Sequence, residues 1–583
     1  MAKAKAEDQM IEGQISTPLW GDLISVVLGS LLLVATSCGG DADSIGRGDA
    51  RPDAAASGSP DAAGPGVDAG AGEVLPDAAP PDAGSPAPDG GPTGPTIESV
   101  ETSDGFTQVR QGESVQLVIT GAGLDGVTRV AVGEIAATLS EQAAGEVKAS
   151  LSVPHATAPG PRDITVSGPA GSYTAPSAIE VTPYVVAPSA PSGGHGTFQS
   201  PMSLCSAEVA TSQRGDTILL LAGQHLCRFP IDLARGGQVI QGEGEGTTIV
   251  GGADGRFGGF RLVRPLPFPA RTTFRDLTID ARSRDDGAIR LADGGALSVE
   301  RVTILSSVIS LGECPICRTT TEVTDSTFLD GGIVATGDAQ IQIRDSIITG
   351  EGIRTNGGRL QVTGTTFDGC STGVALQSGG DGRVGLRGEI TSSTFTDCET
   401  GLMLERGDLV IADTTIRGIF PLASDRGVFV TGGDLEARGV TIAGHWRSGI
   451  EALLNSDDVL TASTLTLADL TIEGGQYGVR LHGEAIRGGL RMSSSSVRDQ
   501  TVAAVSLAIA GIDTYDLRGG NQLSVVSGVA LDDAIVAPMF ITPIEAAGIA
   551  LNGRPMSDAG LQRGPIDRSP DFRIVDPQRS IQF

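Results

Sequence analysis

The feature that most constrains this chain is a register. Ten apolar residues, Ile279, Ile304, Phe328, Ile348, Phe367, Phe395, Ile416, Ile442, Ile472 and Val497, follow one another at gaps of 25, 24, 20, 19, 28, 21, 26, 30 and 25 residues, most of them closing a unit of the form xxTI or xxTF. Positions seven and five before this anchor are also apolar in most units, as in Leu297/Val299, Ile341/Ile343, Leu360/Val362, Leu409/Ile411, Leu465/Leu467 and Leu490/Met492, while the unit at Phe328 keeps only Val323 and the unit at Phe395 only Ile390. A step of two is strand alternation, and the odd step of five to the anchor requires a turn between two strands. A further strand opens at Gly in "GVAL", "GLML", "GVFV" and "GVRL", with inward residues one and three places on: Val374/Leu376, Leu402/Leu404, Val428/Val430 and Val479/Leu481. A repeat of this length, whose units cannot bury their apolar faces alone, stacks into a solenoid. Neighbouring rungs then lie ~4.8 Å apart, with identical positions one above the other.

The dodecamers "TTFDGCSTGVAL" (365–376) and "STFTDCETGLML" (393–404) are neighbouring rungs in this reading. Cys370 and Cys398 each stand three residues after their anchor, so a bridge between them is expected, with a reduced cysteine ladder as the alternative. Cys205 and Cys227 are a second candidate pair, and Cys314 and Cys317 of "CPIC" a third. One CxxC without a second pair or a nearby His is read as a local disulfide or free pair, not as a metal site.

Upstream, the chain divides by composition. Residues 39–95 are almost entirely Asp, Ala, Pro, Gly and Ser, which cannot offset the entropy of ordering and therefore read as a disordered tether. At ~3.1 Å per residue, such a segment reaches well over ~100 Å when extended. Residues 96–183 carry short alternating strands such as "SVQLVITG", "KASLSVP" and "RDITVSG" separated by Gly and Pro, the pattern of an immunoglobulin-like β-sandwich. Residues 190–583 hold the solenoid and its closing segment. The apolar run "LISVVLGSLLLV" (23–34) is short for a membrane span, which needs about 20 apolar residues, and fits a secretory signal.

Three resemblances sharpen these expectations. Residues 1–38, ending "ATSC", resemble a bacterial lipoprotein signal, which implies lipidation at Cys38, export and attachment to the cell envelope, at the outer membrane or cell surface. "PTIESV", "GESVQLVITGAGL" and "PGPRDITVSGPAG" resemble the IPT/TIG immunoglobulin-like modules. "GTFQSPMSLCSAEVATSQRGDTILLLAGQH" resembles the start of a right-handed parallel β-helix of the pectate-lyase-like superfamily, implying a plug helix over about Pro201–Gln213 and a turn at Gly215–Ile218 leading into the first rung. The expected fold class is all-β: a right-handed parallel β-helix preceded by an immunoglobulin-like sandwich.

That superfamily includes uronate lyases and polygalacturonases, whose sites gather carboxylates on the outer face of adjacent rungs. The outward column of the Gly-opened strand reads Arg290, Val334, Arg354, Ala375, Met403, Phe429, Glu451, Arg480, without a run of Asp. Ala375, Met403 and Phe429 make an apolar strip, and Glu451 with Arg480 reads as a surface ion pair of little energetic weight. Weak catalytic candidates are Asp280, Asp285 and Asp286 of "IDARSRDDGA" and His445 of "AGHWRSG"; candidate ligand contacts are Trp446, Arg447, Met403 and Phe429. "GEGEG" at 242–246 opens no helix and is read as a turn, so no nucleotide cofactor is expected, and no metal. A net charge of −29 argues against nucleic acid as a partner. The expected partners are a membrane, through the lipid anchor, and a carbohydrate or surface protein. The favoured expectation is a non-catalytic surface protein for binding or display, and the alternative is a polysaccharide lyase or glycoside hydrolase acting on acidic polysaccharide.

Overall fold

A computed structural model describes residues 94–583, apart from 192, 228, 234, 245, 247, 252–258, 263–269, 282–286, 293, 313–317, 378–384, 419–424, 445–446, 455–462, 484–487, 510–513, 518, 526–534, 539–543, 546–549, 552–553, 556–571 and 576–583. The signal segment with Cys38, all of the tether but 94–95, the Cys314/Cys317 pair, Asp285, Asp286, His445 and Trp446 lie outside the described residues.

The N-terminal part is an eight-stranded β-structure. Thr96–Thr102 pairs antiparallel with Ser114–Ala122, which pairs with Glu146–Ser152, while Gly160–Gly168 pairs with both Arg129–Val132 and Gly171–Thr182. Alternation puts Leu117, Ile119, Val147, Ala149, Ile164 and Val166 into one core, as in a sandwich.

The ladder of the solenoid begins at Tyr184–Val186, which pairs in parallel with Thr217–Leu220, so the first coil reaches back to the end of the sandwich and past the expected boundary at 190. From there each coil pairs in parallel with the next, to Phe572–Val575 on Ile535–Pro538. The all-β class and the right-handed β-helix of about ten turns hold as expected. A typical coil has three strands, for example Arg359–Thr363, Thr366–Asp368 and Thr372–Leu376. The anchors and their apolar partners form the interior: every one of the ten anchors is buried, and Phe367 stacks on Phe395 with ring centroids 4.4 Å apart.

The odd five-residue step has a specific cause. The residue three before each anchor is left-handed: Asp276, Arg301, Asp325, Asp345, Gly364, Ser392, Asp413, Gly439, Asp469 and Ser494 all have positive φ. One such residue turns the chain sharply, and Gly and Asp, which hold seven of the ten corners, tolerate it best. The next position carries a hydroxyl in several coils, and these bridge rungs: Ser326 accepts from the Val302 N–H, and Ser346 accepts from the Ser326 N–H, both at 3.2 Å. Buried backbone donors at the corner are thereby satisfied.

Two expectations need correction. The plug is a single helical turn, Ala207–Ala210, rather than a helix over Pro201–Gln213, because Pro, Ser and Thr at 201, 203, 206, 211 and 212 favour turns. Cys370 and Cys398 are free thiols, both buried, and not a bridge. In-register side chains on parallel rungs keep their Cβ atoms near the strand spacing of ~4.8 Å, whereas a disulfide needs about 3.5–4.5 Å. The Cys370 thiol is pushed up by its hydrogen bond with Cys398 and by burial. Cys205 and Cys227 do form a disulfide, with an S–S distance of 2.07 Å, which ties the plug to the first coil.

The sandwich is joined to that coil by a polar seam. Asp216, fully buried, meets Nδ1 of His155 at 2.7 Å and accepts from the Gln213 N–H, while Gln111 accepts from the Thr217 N–H at 2.9 Å. The Arg110 guanidinium lies 4.3 Å from the centre of the Tyr184 ring.

Candidate functional site

Two outer faces of the solenoid gather side chains with chemistry. On the third-strand face, in-register pairing stacks Ala375, Met403, Phe429, Glu451 and Arg480 in one column, as the sequence spacing requires. Alternation aims each away from the core, but loops and neighbours decide how wet each one is. Ala375 is buried, and Met403 and Phe429 are half-buried.

Glu451 is the correction that matters. It is not half of a surface pair: its side chain is 1% exposed and receives three basic groups. Nε of Arg426 donates to Oε2 at 2.6 Å, Nε2 of His482 lies 2.7 Å from Oε1, and Nη1 of Arg480 lies 3.6 Å from Oε1. Arg426 stands three places before Phe429 on its strand, and His482 stands two places after Arg480, so both can converge on the carboxylate of the rung between them. Burial alone would push the Glu451 carboxyl up. The hydrogen bonds from His482 and Arg426, and their charges, outweigh it and hold the group down at about 2.

The basic side chains are wetter than the acid they hold. Arg426, Arg480 and His482 are 23%, 15% and 27% exposed, so solvent meets a layer of basic side chains with the carboxylate beneath it. Aromatic rings brace that layer. The Arg426 guanidinium sits 4.4 Å from the Phe429 ring centre, and that of Arg480 4.6 Å from the Tyr477 ring centre. Nη1 of Arg480 is shielded from solvent and makes no hydrogen bond among the described residues.

The first-strand face carries a groove of about 580 Å³ across five consecutive coils. Stacked in register along one column are Arg359, Arg387, Asp408 and Asp434, and along the next Gln361, Glu389, Val410 and Glu436. Arg387 pairs with Asp408 at 3.3 Å and Arg359 with Glu389 at 3.6 Å, all of them exposed.

Of the residues singled out from sequence, Phe429 joins the cluster through Arg426, and Met403 lies one rung before Phe429 in the same column. Arg447 contributes backbone: its N–H donates to the Asp425 carbonyl, and its carbonyl accepts from the Tyr477 N–H. Asp280 ends the strand Arg271–Asp280, seven coils from Glu451, or roughly 34 Å at ~4.8 Å per rung, and the two do not meet. Sequence reasoning missed Arg426 and His482, which lie just outside the scanned column, and the whole groove. The signal for the groove was present eight and six places before the anchors, where charge collects on four successive units. Among the described residues, no three His, Cys, Asp or Glu side chains gather to hold a metal ion.

Comparison with known proteins adds the fold and little else. Residues 288–460 match the family described as right handed beta helix region. Among solved structures, the chain is similar to the catalytic domain of a GH87 alpha-1,3-glucanase in complex with tetrasaccharides, at 12% identity over 80% of this chain and 91% of that one, with a TM-score of 0.34. It is also similar to pectate lyase Pel9A, at 16% identity over 64% of this chain and 81% of that one, with a TM-score of 0.16. No curated protein matches the chain.

Proposed function

We propose that this protein is an exported β-helix, tethered to the envelope by a lipid on Cys38 and a long spacer, that holds acidic polysaccharide on its third-strand face without cleaving it. The observation that carries the reading is the layering at Glu451: three basic side chains face solvent over a buried carboxylate. On a chain of net charge −29, such a spot is where an anionic ligand gains most. The carboxylate orients the bases, and the Phe429 and Tyr477 rings hold the guanidiniums flat, so little side-chain entropy is lost on binding. An IPT/TIG-like module between tether and solenoid would space the binding face from the membrane.

The test is incubation of the full chain with polygalacturonate and with uncharged dextran. Binding to polygalacturonate alone, unchanged polymer length, and loss of binding in Arg480→Gln are expected. Equal binding to both polymers would overturn the reading. Shortening of the uronate chain would replace it with the lyase or hydrolase alternative.

A further inference from the structure

The groove on the first-strand face stacks its charges in an order that costs free energy. Arg359 lies directly over Arg387, and Asp408 directly over Asp434, in parallel register. Like charges opposite one another on neighbouring strands repel. At one end the repulsion is relieved within the groove: Arg359 reaches Glu389, which also accepts from Nε2 of Gln361 at 3.0 Å, and Arg387 reaches Asp408. At the other end it is not. Oδ1 of Asp434 accepts from the Thr464 N–H at 2.9 Å, and no cation among the described residues pairs with it. Among the described residues Glu436 meets only Arg438, two places along its own strand, at 3.5 Å. Two guanidiniums therefore face four carboxylates in one cavity, with the surplus at the Asp434 end. Between Glu389 and Glu436 the column presents Val410, 38% exposed, as a small apolar floor.

We infer that this groove is a second binding site and that it takes a chain bearing protonated amines and hydroxyls, an amino-sugar polymer. An ammonium between Asp408 and Asp434 removes the repulsion that the fold leaves in place and gains charge-assisted hydrogen bonds. Ring carbons cover Val410. Hydroxyls find acceptors in Glu389 and Glu436 and donors in Arg359 and Arg387. The surplus of carboxylates rejects the acidic chains assigned to the other face, so the inference stands whether or not that assignment does.

The experiment is calorimetric titration of the full chain with glucosamine hexamer and with its fully N-acetylated counterpart, which differ in charge and acetyl groups alone, at a pH where the amine is protonated. The amine form is expected to bind, and the acetylated form about tenfold or more weakly, the equivalent of about 1.4 kcal/mol. Asp434→Asn is expected to lower affinity for the amine form about tenfold, while Asp104→Asn, the same charge change on an exposed residue of the sandwich, leaves it unchanged. Equal binding of the two hexamers, equal losses in the two variants, or an Asp434→Asn protein that binds like the parent would each overturn the inference. Circular dichroism of both variants shows whether the fold is kept, and an exposed Asp→Asn change leaves the core alone.

Discussion

The two faces of one solenoid use ionic side chains in opposite ways. On the first-strand face, acids and bases stand in water and pair loosely, as with Arg387 and Asp408 at 3.3 Å. On the third-strand face, the Glu451 carboxylate is taken out of water and held by Arg426 and His482 at 2.6 and 2.7 Å. The backbone beneath is the same parallel ladder in both places. What differs is burial, and burial changes an ion pair from an adjustable surface feature into a fixed one, because a desolvated charge stripped of its partner is costly. A site that must hold its shape belongs on the second kind of face, and one that must adapt to a ligand belongs on the first.

The comparison can be broken most forcefully at Arg426. Arg426→Met leaves Glu451 buried beside fewer cations, and we expect a stability loss of about 3 kcal/mol in chemical denaturation. A loss under about 1 kcal/mol would place Glu451 in the same class as the groove acids. Next comes the disulfide that ties the plug down. Cys205→Ser with Cys227→Ser should cost about 2–4 kcal/mol, read the same way.

Acid titration sharpens the contrast through its sign. The Glu451 carboxyl sits at about 2 in the fold against an ordinary 4.5, so the unfolded chain binds its proton first. Its contribution is complete above the ordinary value and is lost as pH falls from there toward about 2, a total of roughly 3 kcal/mol at ~1.4 kcal/mol per pH unit. The stability gap between parent and Arg426→Met should close over that window; a gap that stays constant would refute the assignment. Smallest of all is the groove, where Arg387→Gln should shift stability by no more than about 0.5 kcal/mol. The thiols offer a separate check: alkylation mapped by mass spectrometry should label Cys370 and Cys398 only after denaturation, and a native bridge between them would contradict the reduced ladder.

Much of this architecture is legible in the residues. The anchors and their partners predict which side chains enter the core because strand alternation and rung stacking leave no freedom once the register is known. The left-handed corner residue is legible too, since Asp, Ser and Gly recur where the five-residue step demands a sharp turn. Outward positions carry no such constraint. Glu451 and Arg480 could be placed in one column, yet nothing local says that Arg426 and His482 would close over the carboxylate, because that depends on neighbouring rungs of unequal loop length. The groove escaped notice for a different reason: its charges occupy the outward positions of the first strand, which the core pattern does not mark. The plug shows the reverse failure, a helix expected from resemblance where Ser and Thr supported only one turn.

The seam between the sandwich and the first coil has a consequence for assembly. A parallel ladder ends in a row of unsatisfied amides and carbonyls, and a bare end of this kind can recruit another copy and grow into a fibre. Here Tyr184–Val186 already occupies the strand edge next to Thr217–Leu220, and His155 and Gln111 secure the sandwich against it. The other side of that strand is taken as well: the Val185 N–H donates to the Gly196 carbonyl and the Val185 carbonyl accepts from the Met202 N–H, so the segment that follows the sandwich closes the first rung against a further copy.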